Sequence, residues 1–121
     1  MPFTINVERL PGYVRFQVSG PASLKNYFDL IDYAAKETTA AGDQFVMVDL
    51  RGVAGRLSFT DQFFIGDVVS QKLTRLQRLA TVVPDDPTTY NSEKVANRKG
   101  INLRSFANEA QAIAWLREGA G

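Results

Sequence analysis

The chain contains no cysteine and no histidine. Without thiols there is no disulfide framework, no thiol nucleophile and no thiolate metal site, and a reducing cytoplasm is compatible with the composition. The absence of imidazole also removes serine triads of the usual kind and most zinc sites. Carboxylates, Lys, Tyr, Ser and Thr remain for chemistry. Neither sign of charge dominates: 14 basic and 13 acidic residues, interspersed along the chain, leave a formal charge of +1. Such a surface carries no electrostatic footprint for nucleic acid. No apolar run approaches the ~20 residues of a membrane span. The start, Met-Pro-Phe-Thr-Ile-Asn-Val-Glu, lacks a basic segment followed by an apolar one. A cytoplasmic protein with no cofactor, no metal and no membrane span is expected. At 121 residues, with nothing resembling a linker, residues 1–121 read as one domain.

What is present begins with the run Phe45-Val46-Met47-Val48-Asp49-Leu50, bounded by Gly42 before and Arg51-Gly52 after. Apolar residues broken by one acid read as a strand buried on both faces. Upstream, Phe3, Ile5 and Val7 alternate with Thr4, Asn6 and Glu8. After Leu10-Pro11-Gly12 the alternation resumes, with Tyr13, Arg15 and Gln17 against Val14, Phe16 and Val18. Pro-Gly between two period-two runs predicts a β-hairpin. Ser23 follows as an N-cap, its hydroxyl accepting a free backbone N–H. Leu24, Tyr27, Phe28, Ile31, Ala34 and Ala35 then recur at helical spacing up to a stop at Gly42.

Downstream of the central strand, Arg51-Gly52-Val53-Ala54-Gly55-Arg56-Leu57 is glycine-rich and reads as a loop. Ser58 or Thr60 caps the next helix, with Asp61 in its first turn. Its buried row is Ile65, Val69, Leu73 and Leu76, supported by Phe64, Val68 and Leu79, and Gly66 marks close helix packing or a ligand. The row Lys72, Arg75 and Arg78 runs along one side toward its end, where positive charge complements the dipole. Leu79-Ala80-Thr81-Val82-Val83 is a second strand, ended by Pro84-Asp85-Asp86-Pro87. Residues 92–99 form a short polar helix closed by Gly100, and residues 103–106 a brief strand. Asn108 with Gln111 caps a last helix, which Trp115 clamps to the sheet. The order is ββαβαβαβα. Strands separated by helices require right-handed crossovers, so the class is α/β with a mixed, mostly parallel sheet and an antiparallel edge from the hairpin.

In such sheets the loops leaving the carboxyl ends of adjacent strands converge, which places residues 49–60 beside 84–90. The candidate ligand- or partner-binding residues are Asp49, Arg51, Arg56, Ser58, Thr60, Phe63 and Tyr90. Asp49 is either a perturbed acid in a pocket or an acceptor that holds the following loop in place. Arg51 and Arg56 flank Gly52 and Gly55 in a loop that suits an anion, without a Walker-type or dinucleotide fingerprint. Phe59, Phe63, Phe64 and Tyr90 either pack the core or offer apolar area to a ligand or partner helix.

Three stretches, taken with the order of elements, resemble the STAS superfamily and its SpoIIAA-like branch of small bacterial proteins. They are Val46-Met47-Val48-Asp49-Leu50-Arg51-Gly52-Val53, Leu79-Ala80-Thr81-Val82-Val83, and Val95-Ala96-Asn97-Arg98-Lys99-Gly100 through the Phe106-Ala107-Asn108-Glu109 turn to Trp115-Leu116. The resemblance extends over nearly the whole chain. It implies an interaction module in which an Asp-Ser pair opens the helix after the central strand and phosphorylation of the Ser controls partner binding. Ser58 and Thr60 occupy that segment here, with Leu57 rather than Asp before Ser58. They are the candidate phosphorylation sites. A phosphate at a helix N-terminus is electrostatically favoured.

The function expected is therefore non-enzymatic: regulated docking of a protein partner at the crevice after the central strand. The alternative is a carrier or sensor of a small apolar or anionic ligand in the same crevice. No set of side chains identifies catalytic residues. Homodimerisation through the hairpin or the second long helix is left open.

Overall fold

The computed structural model describes residues 1–83 and 91–120. Its elements are β1 (Thr4–Leu10), β2 (Tyr13–Pro21), α1 (Leu24–Ala41), β3 (Phe45–Ala54), α2 (Phe59–Lys72), β4 (Arg78–Val82), α3 (Asn91–Arg98), β5 (Leu103–Phe106) and α4 (Glu109–Ala120). The strands form one sheet in the order β1-β2-β3-β4-β5. The hairpin is antiparallel, closing on Leu10 opposite Tyr13 through Pro11-Gly12, and Gly12 takes φ +90°, a conformation that glycine adopts without strain. The other pairings are parallel, so β3 is central.

Period-two alternation divides the sheet into two faces. Val14, Phe16, Val18, Val46 and Val48 point to the first and meet Leu30, Ile31 and Ala34 of α1, Ile65 and Val69 of α2, and Ala96 of α3. Tyr13, Met47, Ala80, Val82 and Phe106 point to the second and meet Ala112 and Leu116 of α4. Enclosing a side chain as completely as Phe16 or Met47 contributes about 1.5–3 kcal/mol each. Trp115 packs against Phe106 at 5.7 Å between centroids, and the Arg78 guanidinium lies 4.8 Å over the indole while donating to the Trp115 carbonyl. On the β1–β2 half of this second face the exposed side chains are polar: Thr4, Asn6, Glu8, Gln17 and Ser19.

Helix ends follow local chemistry. The Ser23 hydroxyl accepts from the Asn26 N–H at the start of α1, and Gly42 ends that helix at φ 73°. The Asn108 side chain accepts from the Gln111 N–H at the start of α4. Two boundaries differ from the sequence expectation. The segment 51–54 is strand, because Gly52, Val53 and Ala54 pair with Ser19, Gly20 and Pro21 of β2. In addition, α2 ends at Lys72, with Leu73 at φ −113° leaving helical space. The N–H groups of Gln77 and Arg78 both donate to the Gln44 carbonyl, tying this turn to the start of β3. Hence Leu76 packs on the core from a turn, and the basic row is broken up. Lys72 pairs with Asp32 of α1, whereas Arg78 opens β4.

Candidate functional site

The residues singled out in the sequence fall into two groups on opposite faces of the sheet. Asp49 and Arg51 belong to the second face. Along β3, Val46, Val48 and Leu50 pack on the first-face core, and Asp49 follows Met47 on the other side, where it is 3% exposed. Gln17 faces Asp49 and Ser19 faces Gly52, so β3 carries one extra residue between them. Bulges of this kind re-aim side chains. Here the slip accompanies Arg51 folded back on Asp49. A Cβ at position 52 would lie 2.8 Å from the Val18 carbonyl oxygen, which explains the glycine.

Asp49 is the hub of an ion-pair network. Its Oδ1 accepts from the Arg51 backbone N–H at 3.0 Å and from Arg51 Nε at 2.9 Å, and its Oδ2 from Arg51 Nη2 at 2.9 Å and Arg15 Nη2 at 3.1 Å. Arg15 also donates through Nε to Glu109 Oε1, in the first turn of α4. The side-chain bond from Arg51 is the main influence holding the Asp49 carboxyl below its ordinary range, against burial, which pushes it upward. The same pairing raises the Arg51 guanidinium. A carboxylate so stabilised and so fully hydrogen-bonded is poorly suited to general-base work at neutral pH. Asn6, Gln17, Ser19, Asp49, Arg51 and Gly52 line an open groove on this face.

The second group lies at the start of α2, whose inner side packs on the first face. Ser58 is the N-cap, and its Oγ accepts from the Asp61 N–H at 3.1 Å. Thr60 lies in the first turn and is exposed, as is Arg56 in the preceding segment. Phe59, Phe63 and Phe64 are 61%, 38% and 51% exposed, with the Phe59 and Phe63 rings 4.8 Å apart edge to face. Phe64 therefore does not support the buried row of α2. Ile65, Gly66 and Val69 occupy the inner side, so the phenylalanines face outward. Tyr90 and the segment 84–90 lie outside the described residues.

Arg15 and Glu109 are absent from the sequence-derived site, whereas for Phe59 and Phe64 the sequence leaves both core packing and apolar area for a ligand or partner open. The alternation of β2 placed Arg15 on the polar side of its strand, but only strand register brings it to Asp49. Because Ser58 acts through its side-chain oxygen, Ser58→Ala should destabilise the chain by about 1 kcal/mol. Ser58→Asp, another good cap, should stay within a few tenths of wild type. Urea midpoints check both, and an equal loss in the two variants would contradict the capping role.

No protein-family model and no curated protein matches the chain. Solved structures do. An anti-sigma factor antagonist from Mycobacterium paratuberculosis superimposes with a TM-score of 0.67 at 17% identity, over 95% of this chain and 94% of that one. An uncharacterised protein with a SpoIIAA-like fold from Shewanella loihica PV-4 gives a TM-score of 0.62 at 17% identity, over 95% and 93%. The chain has the STAS, SpoIIAA-like fold.

Proposed function

We propose that the chain is a non-enzymatic regulatory module that docks a protein partner at the rim following β3, through Phe59, Phe63 and Phe64 at the start of α2. The observation that carries this reading is the outward display of three phenylalanines on the first two turns of one helix, where isolated solvent exposure of large apolar groups is unfavourable. Its location supports the reading as well, since sites in open α/β sheets lie beyond the carboxyl ends of the strands. The likeness to an anti-sigma factor antagonist supports a regulatory role by analogy of fold. Ser58 and Thr60 adjoin the aromatic surface, so a phosphate on either would add negative charge at a helix N-terminus beside the docked partner. The module acts in the cytoplasm under this reading. Among the described residues no helix is long and apolar enough to cross a membrane.

A photo-crosslinking phenylalanine analogue at position 63, introduced in cells, should join the chain to one partner protein. The double substitution Phe59→Ser with Phe64→Ser should lower recovery of that partner by at least about tenfold, as expected for loss of hot-spot aromatics. The unfolding free energy in urea should change by no more than about 1 kcal/mol, since both side chains are largely exposed. Undiminished recovery from the double variant would remove this surface from the docking mechanism.

The second reading, a carrier or sensor of a small ligand, is favoured by a separate observation: the open polar groove on the opposite face.

A further inference from the structure

The groove on the second face contains a cation held in a fixed orientation and directed at open polar surface. Asp49 grips Arg51 through Nε and Nη2, which sets the guanidinium plane and uses two of its five N–H donors. Among the described residues the other acid near Arg51 is Glu109. Its Oε2 is 3.9 Å from Nη2, beyond hydrogen-bond reach, and its Oε1 is engaged by Arg15. The Arg51 side chain is 44% exposed and lines the groove with Asn6, Gln17 and Ser19.

Strand register determines how these groups are spaced. Asn6 faces Gln17 across β1–β2, and Gln17 faces Asp49 across β2–β3, which gives a row with one residue per strand at about 5 Å intervals. Gln17 Oε1 accepts from Arg15 Nη1, so its amide nitrogen is the end left to donate. In the next row Ser19 faces Gly52, and the close approach of the Val18 carbonyl keeps any side chain from position 52. The floor beside Arg51 is therefore kept clear.

We propose that this groove binds a small monovalent carboxylate, with the Nη1/Nη2 end of Arg51 holding both oxygens and Gln17, Asn6 and Ser19 donating around it. The paired N–H groups of a guanidinium match the two oxygens of a carboxylate in spacing and plane. The charge of the surroundings selects the valence. Among the described residues Arg15 and Arg51 are balanced by Asp49 and Glu109, and exposed Glu8 stands opposite Arg15 on the same face, so the site offers donors without net positive charge. Repulsion from Asp49, Glu109 and Glu8 grows with the charge of the ligand, so a monoanion held by the paired N–H groups is favoured over a dianion. This site rests on the small-ligand reading of the same groove, is separate from the aromatic surface of α2 and does not depend on protein docking there.

The test is a titration of 15N-labelled chain with sodium acetate against sodium chloride at matched ionic strength, following the arginine Nε–H and side-chain amide signals. Acetate should shift the Arg51, Gln17 and Asn6 signals saturably, with half-saturation at roughly 1–10 mM, as one charged pair on an open face allows. Gln17→Leu and Asn6→Leu, each on the exposed sheet face and each leaving the rest of the spectrum in place, should weaken it at least about tenfold. Shifts equal to those with chloride, or an unchanged midpoint in both variants, overturn the proposal. Inorganic phosphate at about pH 8, where it is dianionic, is the third arm, and binding as tight as that of acetate overturns the carboxylate assignment.

Discussion

Asp49→Ala should lower the unfolding free energy by about 1–3 kcal/mol, the range expected for losing hydrogen bonds to a charged group when Arg15 keeps Glu109 and Arg51 is partly exposed to water. The magnitude follows from what is left behind. Arg15, whose side chain is 18% exposed, loses its acceptor on β3, and Arg51 loses three bonds, one of them from its own backbone. Asp49→Asn, which keeps the size but not the charge, should retain part of this. It also isolates the pH dependence. The folded carboxyl titrates below its ordinary value of 3.8, so its contribution is complete above 3.8 and is lost as pH falls through the lower folded value. The difference in urea stability between wild type and Asp49→Asn should thus be constant near neutrality and shrink in acid below that value. A difference that grew in acid would contradict the ion-pair account.

Leu116→Ala should cost about 2–5 kcal/mol, as for other enclosed leucines. Leu116 is 0% exposed and meets a cluster containing Met47, Ala80, Val82 and Phe106. Among the described residues α4 is the helix that covers this face, so nothing else fills the space on truncation. The neighbouring Arg117 is exposed, and Arg117→Ala should stay within about 0.5 kcal/mol. Chemical denaturation of the pair measures the contrast. A Leu116→Ala loss below about 1 kcal/mol would show that α4 is not seated as described. Hydrogen exchange in α4 should also rise in that variant, since the ties that remain, Glu109 to Arg15 and Trp115 to Phe106 and Arg78, do not refill the space under the helix.

Much of this architecture is legible from neighbours in the chain. Pro11-Gly12 between alternating runs announces the hairpin, Ser23, Ser58 and Asn108 mark helix starts, and Gly42 marks a stop, because turns and caps are formed by groups a few residues apart. The difficult boundaries are those settled by distant partners. Residues 51–57 carry the loop signal of Gly52 and Gly55, yet Ser19–Pro21 offers 52–54 a strand to pair with, and the ladder bonds prevail. Periodicity alone continues α2 to Leu79, but Gln44 captures the N–H groups of Gln77 and Arg78 and redirects the chain into β4.

The candidate site shows the same division. The amino-acid sequence by itself determined the order ββαβαβαβα, the central position of Phe45 to Leu50, the cap at Ser58 and the exclusion of thiol and imidazole chemistry. These rest on residue type and local spacing. Only the tertiary structure decided that Asp49 and Arg51 face away from Ser58, Thr60 and Phe63. It also decided that Arg15 and Glu109 join Asp49, and that Phe59 and Phe64 point outward. A strand alternates its side chains between two faces, and which face meets which helix depends on crossover hand and register between residues as far apart as Arg15 and Glu109. No local pattern carries that information.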